Sequence, residues 1–181
     1  MAEPDEVTLG RVLLTEYEQL KAEQTGRIRL RDNLLYAMLA ATAAVIAATM
    51  RAGDHAALLL LLPPITLLLG WTYLVNDEKI SAIGRHVRTT LAPRLAEVLD
   101  VDEEILTWES AHRDDRRRGS RKALQLAVDL LAFAVSPLAA LTAFWVNGHL
   151  TWPLLAVSGA EAAAVGVLAW QIVVYADLGR G

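Results

Sequence analysis

The sequence predicts an all-α, polytopic membrane protein: four transmembrane helices with amphipathic cytoplasmic helices. Three observations predict it. Residues 34–50, 56–75, 123–146 and 152–176 form four apolar stretches of about 18–24 residues with few charges, each long enough for a helix to cross a bilayer. The charged residues crowd into the segments outside them. No stretch shows the strict apolar–polar alternation of a half-buried strand. Composition agrees. Of 181 residues, 54% are hydrophobic, and the mean hydropathy is +0.33. A soluble domain ordinarily has about 45–50% apolar residues. The chain has no cysteine, which removes disulfides, thiolate metal sites and a cysteine nucleophile.

The first element is an N-terminal cytoplasmic helix within residues 1–32. Its start, Met1-Ala-Glu-Pro-Asp-Glu, is acidic, and about 32 residues precede the first apolar stretch. A secretory signal needs a basic start followed promptly by an apolar run, so the first span is expected to be retained. Leu13, Tyr17, Leu20 and Ile28 mark one broad apolar stripe, interrupted by Gln24. Gly26 weakens that helix without ending it.

A first transmembrane hairpin, residues 33–76, follows. A cytoplasmic helical loop, 77–122, comes next. In it Ile80, Ile83, Val87 and Leu91 fall on one helical face. Pro93 ends that run or begins the next helix. Asp77-Glu78-Lys79 reads as a helix start. Asp100 and Glu103 have capping-box spacing, with Ile105, Trp108 and His112 on the face that follows. These faces either pack on one another or dock to a partner, a cytoplasmic protein or a second copy. The second transmembrane hairpin spans 123–176, and a short cytoplasmic tail spans 177–181.

Orientation follows from the basic residues, which favour the cytoplasmic side of short loops and span ends. In the four-span arrangement sixteen of the 17 fall on one side, and only Arg51 flanks the other. Both termini and the central loop are therefore expected inside, with the protein in the inner (plasma) membrane. Tyr36, Trp71, Tyr73, Trp170 and Tyr175 fall near the predicted inner boundary and Trp145 and Trp152 near the outer one, as interfacial aromatics do. Arg116, Arg117, Arg118, Arg121 and Lys122 cluster before the third span. They read as a topology signal or as a site facing anionic lipid, worth ~1 kcal/mol per basic residue. The cluster has no interleaved aromatics and its neighbourhood is acidic, so nucleic acid is not an expected partner.

Polar groups inside the spans are the candidate functional residues. Glu161 lies roughly 12–13 Å below the outer boundary at 1.5 Å per residue, and Asp129 ~9 Å above the inner one. Acids at such depth usually face a bundle interior. Ser158, Ala162 and Gly166 follow small-xxx-small spacing beside Glu161. Asp129 shares a face with Ala132, Ser136, Ala140 and Ala143, and Ala40, Ala44 and Ala48 repeat the spacing in the first span. These faces suit intramolecular packing or a homo-oligomer. Pro63, Pro64 and Pro137 are candidate helix breaks at nearly the depth of Glu161. Each removes a backbone donor and frees a carbonyl to which a protonated Glu161 could donate. Glu161 is then either a structural acid that locks helix packing or a proton- or cation-responsive site.

Enzymatic chemistry is not expected. The sequence has no H-E-x-x-H, no G-x-S-x-G and no phosphate-cradling glycine loop. Its four histidines scatter over both predicted sides, so neither a metal nor a cofactor is expected.

Residues 71–85 (Trp71 to Arg85), with Arg31-Asp-Asn-Leu-Leu-Tyr36, resemble small actinobacterial integral membrane proteins. In organisation the chain also resembles small multi-span effectors of bacterial conflict and antiphage systems. That likeness implies a membrane protein triggered by a cytoplasmic sensor partner to breach the membrane, and it supplies no site residues. Three functions stay open: a self-associating membrane-perturbing effector or signalling subunit, a proton- or ion-coupled channel or transporter using Glu161, and a passive membrane anchor or assembly subunit.

Overall fold

The computed structural model describes residues 8–53, 55–101, 106, 118–148 and 150–176, with only the backbone of 118 and 119. Among these residues there is helix and no strand. Helix α1 is Leu9–Arg51, a 3-10 turn covers Ala56–Leu61, and α2 is Leu62–His86. A π turn at Val87–Leu91 leads into α3, Ala92–Leu99. Helix α4, Arg118–Leu130, passes through a second π turn, Leu131–Val135, into α5, Ser136–Asn147; α6 is Trp152–Tyr175. Four helical runs, Leu9–Arg51, Ala56–Leu99, Ser120–Asn147 and Trp152–Tyr175, are long and apolar enough to cross a membrane.

Proline sets the departures from α geometry. Pro63 and Pro64 occupy the second and third positions of α2, where a missing N–H costs nothing. The carbonyl of Leu59, which an N–H at position 63 would otherwise use, accepts the Leu62 N–H within the 3-10 turn. Pro93 and Pro137 each sit two residues after a π turn. A proline ring crowds the carbonyl four residues back. In both places the preceding turn widens to five-residue bonds, Ala92 N–H to Val87 O and Ser136 N–H to Leu131 O. Pro93 therefore begins α3.

The chain divides into two compact units, Met1–Leu30 with Asn76–Arg118, and Arg31–Val75 with Gly119–Gly181. The divisions at 30/31, 75/76 and 118/119 compare with sequence boundaries at 32/33, 76/77 and 122/123. Helices α1 and α2 each contribute to both units, so neither sequence boundary there is a helix end. Asp77, Glu78 and Lys79 lie inside α2 and start nothing.

In the first unit Leu13, Ile83, Val87, Leu91 and Leu95 form a buried core, flanked by Tyr17, Leu20 and Leu106. Three residues of the sequence stripe, Ile83, Val87 and Leu91, lie in this core, and Ile80 stays half buried outside it. The segments run antiparallel: Arg27 meets Asn76, Gln24 meets the Ile80 carbonyl, Glu16 meets His86, and Gly10 faces Val98. Asp100 ends α3 in the left-handed conformation at φ 50°, with Val101 N–H returning to Ala96 O. It is a C-terminal cap, not the N-terminal one its spacing to Glu103 suggested; Asp tolerates that conformation better than most residues. Glu103, Ile105, Trp108 and His112 lie outside the described residues.

The second unit has the larger core: Met38, Val45, Leu62, Tyr73, Leu74, Ala132, Phe133, Ala140, Leu168 and Ile172. Gly70 permits a close approach within it. A Cβ there would stand 2.7 Å from Leu168 Cδ2 and 3.0 Å from Phe133 Cδ1.

Candidate functional site

The sequence placed two acids in apolar helices, and the second unit treats them differently. Asp129, on the last turn of α4, is 8% exposed. Its Oδ1 accepts the Tyr73 hydroxyl at 2.7 Å and the Gln125 amide at 2.8 Å. The same amide nitrogen donates to the Tyr73 hydroxyl at 2.8 Å, which closes a three-membered ring of hydrogen bonds. Phe133 holds the Tyr73 ring from the side, with centroids 5.0 Å apart and planes tilted by 41°. Asp129 is thus bound to side chains from its own helix and from α2.

Tyr73 corrects an expectation. It is 3% exposed, a buried donor and not an interfacial anchor. Tyr36, Trp71, Trp152, Trp170 and Tyr175 are all about half exposed or more, as interfacial aromatics would be. Trp145 is intermediate in role: its indole N–H donates to Ser158 Oγ at 2.8 Å, joining α5 to α6.

Glu161 lies one turn beyond Ser158 on α6. Its covered side is shared with Ser158, Val165, Leu168 and Ile172, all buried. Its Oε2 is buried and has no hydrogen-bond partner among the described residues. The residue as a whole is only half buried. Glu161 and Asp129 are not brought together by any hydrogen bond. Nor does Glu161 donate to a carbonyl freed by proline.

Ser136 is also placed differently from its sequence face. The π turn before it adds a residue, so the buried line continues through Pro137, Ala140, Leu141 and Phe144. Ser136 is left half buried, and its hydroxyl donates to Leu131 O in its own helix at 2.9 Å. Pro63 and Pro137 are fully buried, whereas Pro64 is exposed. Of the small-residue faces, Ser158 is buried and Ala162 half buried, but Gly166 is exposed with open space where a Cβ would stand. Ala40, Ala44 and Ala48 are exposed; α1 packs through Met38 and Val45 instead. Arg116 and Arg117, and the side chain of Arg118, lie outside the described residues. Arg121 and Lys122 fall within α4.

Sequence reasoning missed Tyr73 and Gln125 as partners of Asp129. Gln125 had a signal, since it stands four residues before Asp129 and therefore on the same face. It also missed Asn76, which is 3% exposed in the first unit. Asn76 donates to the Arg27 carbonyl and accepts from the Arg27 guanidinium at 3.4 Å. Glu23 pairs with that guanidinium at 2.6 Å. No group of three or more His, Cys, Asp or Glu suited to a metal ion occurs among the described residues.

No protein-family model matches this chain, and no curated protein or solved structure matches it.

Proposed function

We propose that this is a non-enzymatic, self-associating integral membrane protein, inserted in the plasma membrane with its termini and its first unit in the cytoplasm. It acts as an effector or signalling subunit that relays the state of the cytoplasmic unit to the membrane unit. The observation that carries the reading is the sharing of α1 and α2: each helix supplies part of the polar-rich first unit and part of the apolar second unit. A partner acting on residues of α1 in the first unit acts on the same helix that bears the first span. The self-association rests on the first helix. Only 11% of its apolar stretch is buried, against 33% in the second and third runs and 22% in the fourth. That leaves its Ala40, Ala44 and Ala48 line free for another helix, the close-packing geometry by which spans associate.

The test is oligomeric mass in nanodiscs, with membrane conductance read on the same preparation. A defined oligomer that conducts, and whose conductance changes when residues 1–30 are removed, is the expected result. A non-conducting monomer overturns the effector reading and leaves an anchor. Replacing Ala44 with Phe separates the association step, since a bulky ring there should lower the oligomeric mass without unfolding either core.

A further inference from the structure

Among the described residues of the second unit, the buried side-chain polar atoms are satisfied with one exception. Thr66 Oγ1 lies 3.5 Å from Met38 Sδ, Ser158 accepts from Trp145, and Asp129 is held by Tyr73 and Gln125. Glu161 Oε2 has no partner among the described residues. The helix face settles which way it looks. Ser158, Val165 and Leu168, at three residues before and at four and seven after, are buried, whereas Gly159, Ala160, Ala163 and Gly166 are exposed. Glu161 therefore belongs to the packed side of α6, yet it stays half exposed.

The elements packed most extensively against α6 offer it no counter-charge. The elements packed against α6 include the π turn Leu131–Val135 and α5, and neither contains a titratable residue. On α2, which approaches Leu168 at Gly70, the titratable group of that unit's core is Tyr73, and it is bound to Asp129. A bare carboxylate with no donor is far more costly in an apolar surrounding than a neutral acid that lacks one hydrogen bond. The proton is the one ligand that meets this need without further coordinating groups.

We propose that Glu161 is a proton-binding site of the second unit, carried as the neutral acid and open to the lipid phase. This goes beyond the relay function and rests only on the membrane placement of α6. Proton binding here removes the charge on an otherwise unpartnered group, so loading and unloading it changes the packed side of α6 between uncharged and charged.

A hydrophobic carbodiimide is the probe. It reacts with a protonated carboxyl in an apolar environment: the acid proton passes to a carbodiimide nitrogen and the carboxyl oxygen adds to the central carbon. Acyl migration to nitrogen then leaves a stable acylurea of unchanged composition. Extraction of native membranes with alkaline carbonate first tests membrane placement on its own. Retained protein is then treated with dicyclohexylcarbodiimide and mapped by peptide mass. An adduct at Glu161, lost in Glu161→Gln and absent from the hydrogen-bonded Asp129, is the expected result. Membrane-retained protein with no adduct at Glu161 overturns the proposal, provided the denatured chain reacts. An adduct that appears only after the copies are dissociated in detergent also overturns it, and assigns the cover of Glu161 to a second copy.

Discussion

The surroundings of Asp129 and of Glu161 are two answers to one problem. Both acids sit in long apolar helices. Asp129 is ringed by Tyr73 and Gln125, and Phe133 fixes the tyrosine. Glu161 shares a covered face with Ser158, Val165 and Leu168, yet its inner oxygen meets no donor or acceptor among the described residues. The difference teaches that an acid in an apolar helix is not by itself a functional signal. The first acid is spent on joining α4 to α2. The second does nothing for packing that the described residues reveal, so its chemistry is still available.

Four changes would break or sharpen that contrast. The largest effect is expected for Glu161→Leu. Removing an acid from the centre of an apolar helix should favour insertion of α6 by about 2.5–3.5 kcal/mol. A translocon insertion assay on residues 152–175 reads this, and the whole protein should unfold at the same temperature or higher. A fall in unfolding temperature would mean that Glu161 has a stabilising partner after all, and the contrast would collapse.

Next comes Gly70→Leu. The new side chain must displace Leu168 and Phe133, an overpacking that costs about 1–3 kcal/mol. Because Phe133 flanks Tyr73, unfolding in mixed micelles should show the loss. Unchanged stability would show that the Asp129 ring does not depend on this close approach.

Tyr73→Phe keeps the ring stacked on Phe133 and removes only the hydroxyl. Interhelical hydrogen bonds in membranes measure about 0.6 kcal/mol on average and 1.7 at most, so a loss in that range is expected from a double-mutant cycle with Asp129→Asn. A coupling of zero would leave Gln125, on its own helix, as the working partner of Asp129 and remove the link to α2. An effect of the same order is expected for Asn76→Ala in the first unit. Its bonds to Arg27 should be worth about 0.5–1.5 kcal/mol, as an ordinary intramolecular hydrogen bond is. Hydrogen exchange of the Arg27 region should report it, and no change in protection would mean that Glu23 alone holds the guanidinium.

Much of the fold was legible because apolar length and helical period are local properties. The four apolar stretches became four long apolar helices, and the Ile83, Val87 and Leu91 stripe became a buried core. The candidate site was legible only in part. Asp129 and Glu161 stood out as charges in apolar runs. Ser136 was misplaced because a face counted at 3.6 residues per turn slips when a π turn inserts one more residue before Pro137. Tyr73 was misread because an aromatic near a span end looks the same whether its hydroxyl meets headgroups or a buried acid.

The sequence by itself determined the helical class, the four apolar runs and the crowding of basic residues into the segments outside them. Each follows from composition along a single strand of chain. Only tertiary structure decided that Tyr73 and Gln125 close on Asp129, that Ala40, Ala44 and Ala48 stay uncovered, and that Glu161 Oε2 is buried with no partner among the described residues. Those outcomes depend on which helix faces meet, and residues such as Tyr73 and Asp129, 56 positions apart, are joined by packing and not by any spacing a sequence displays.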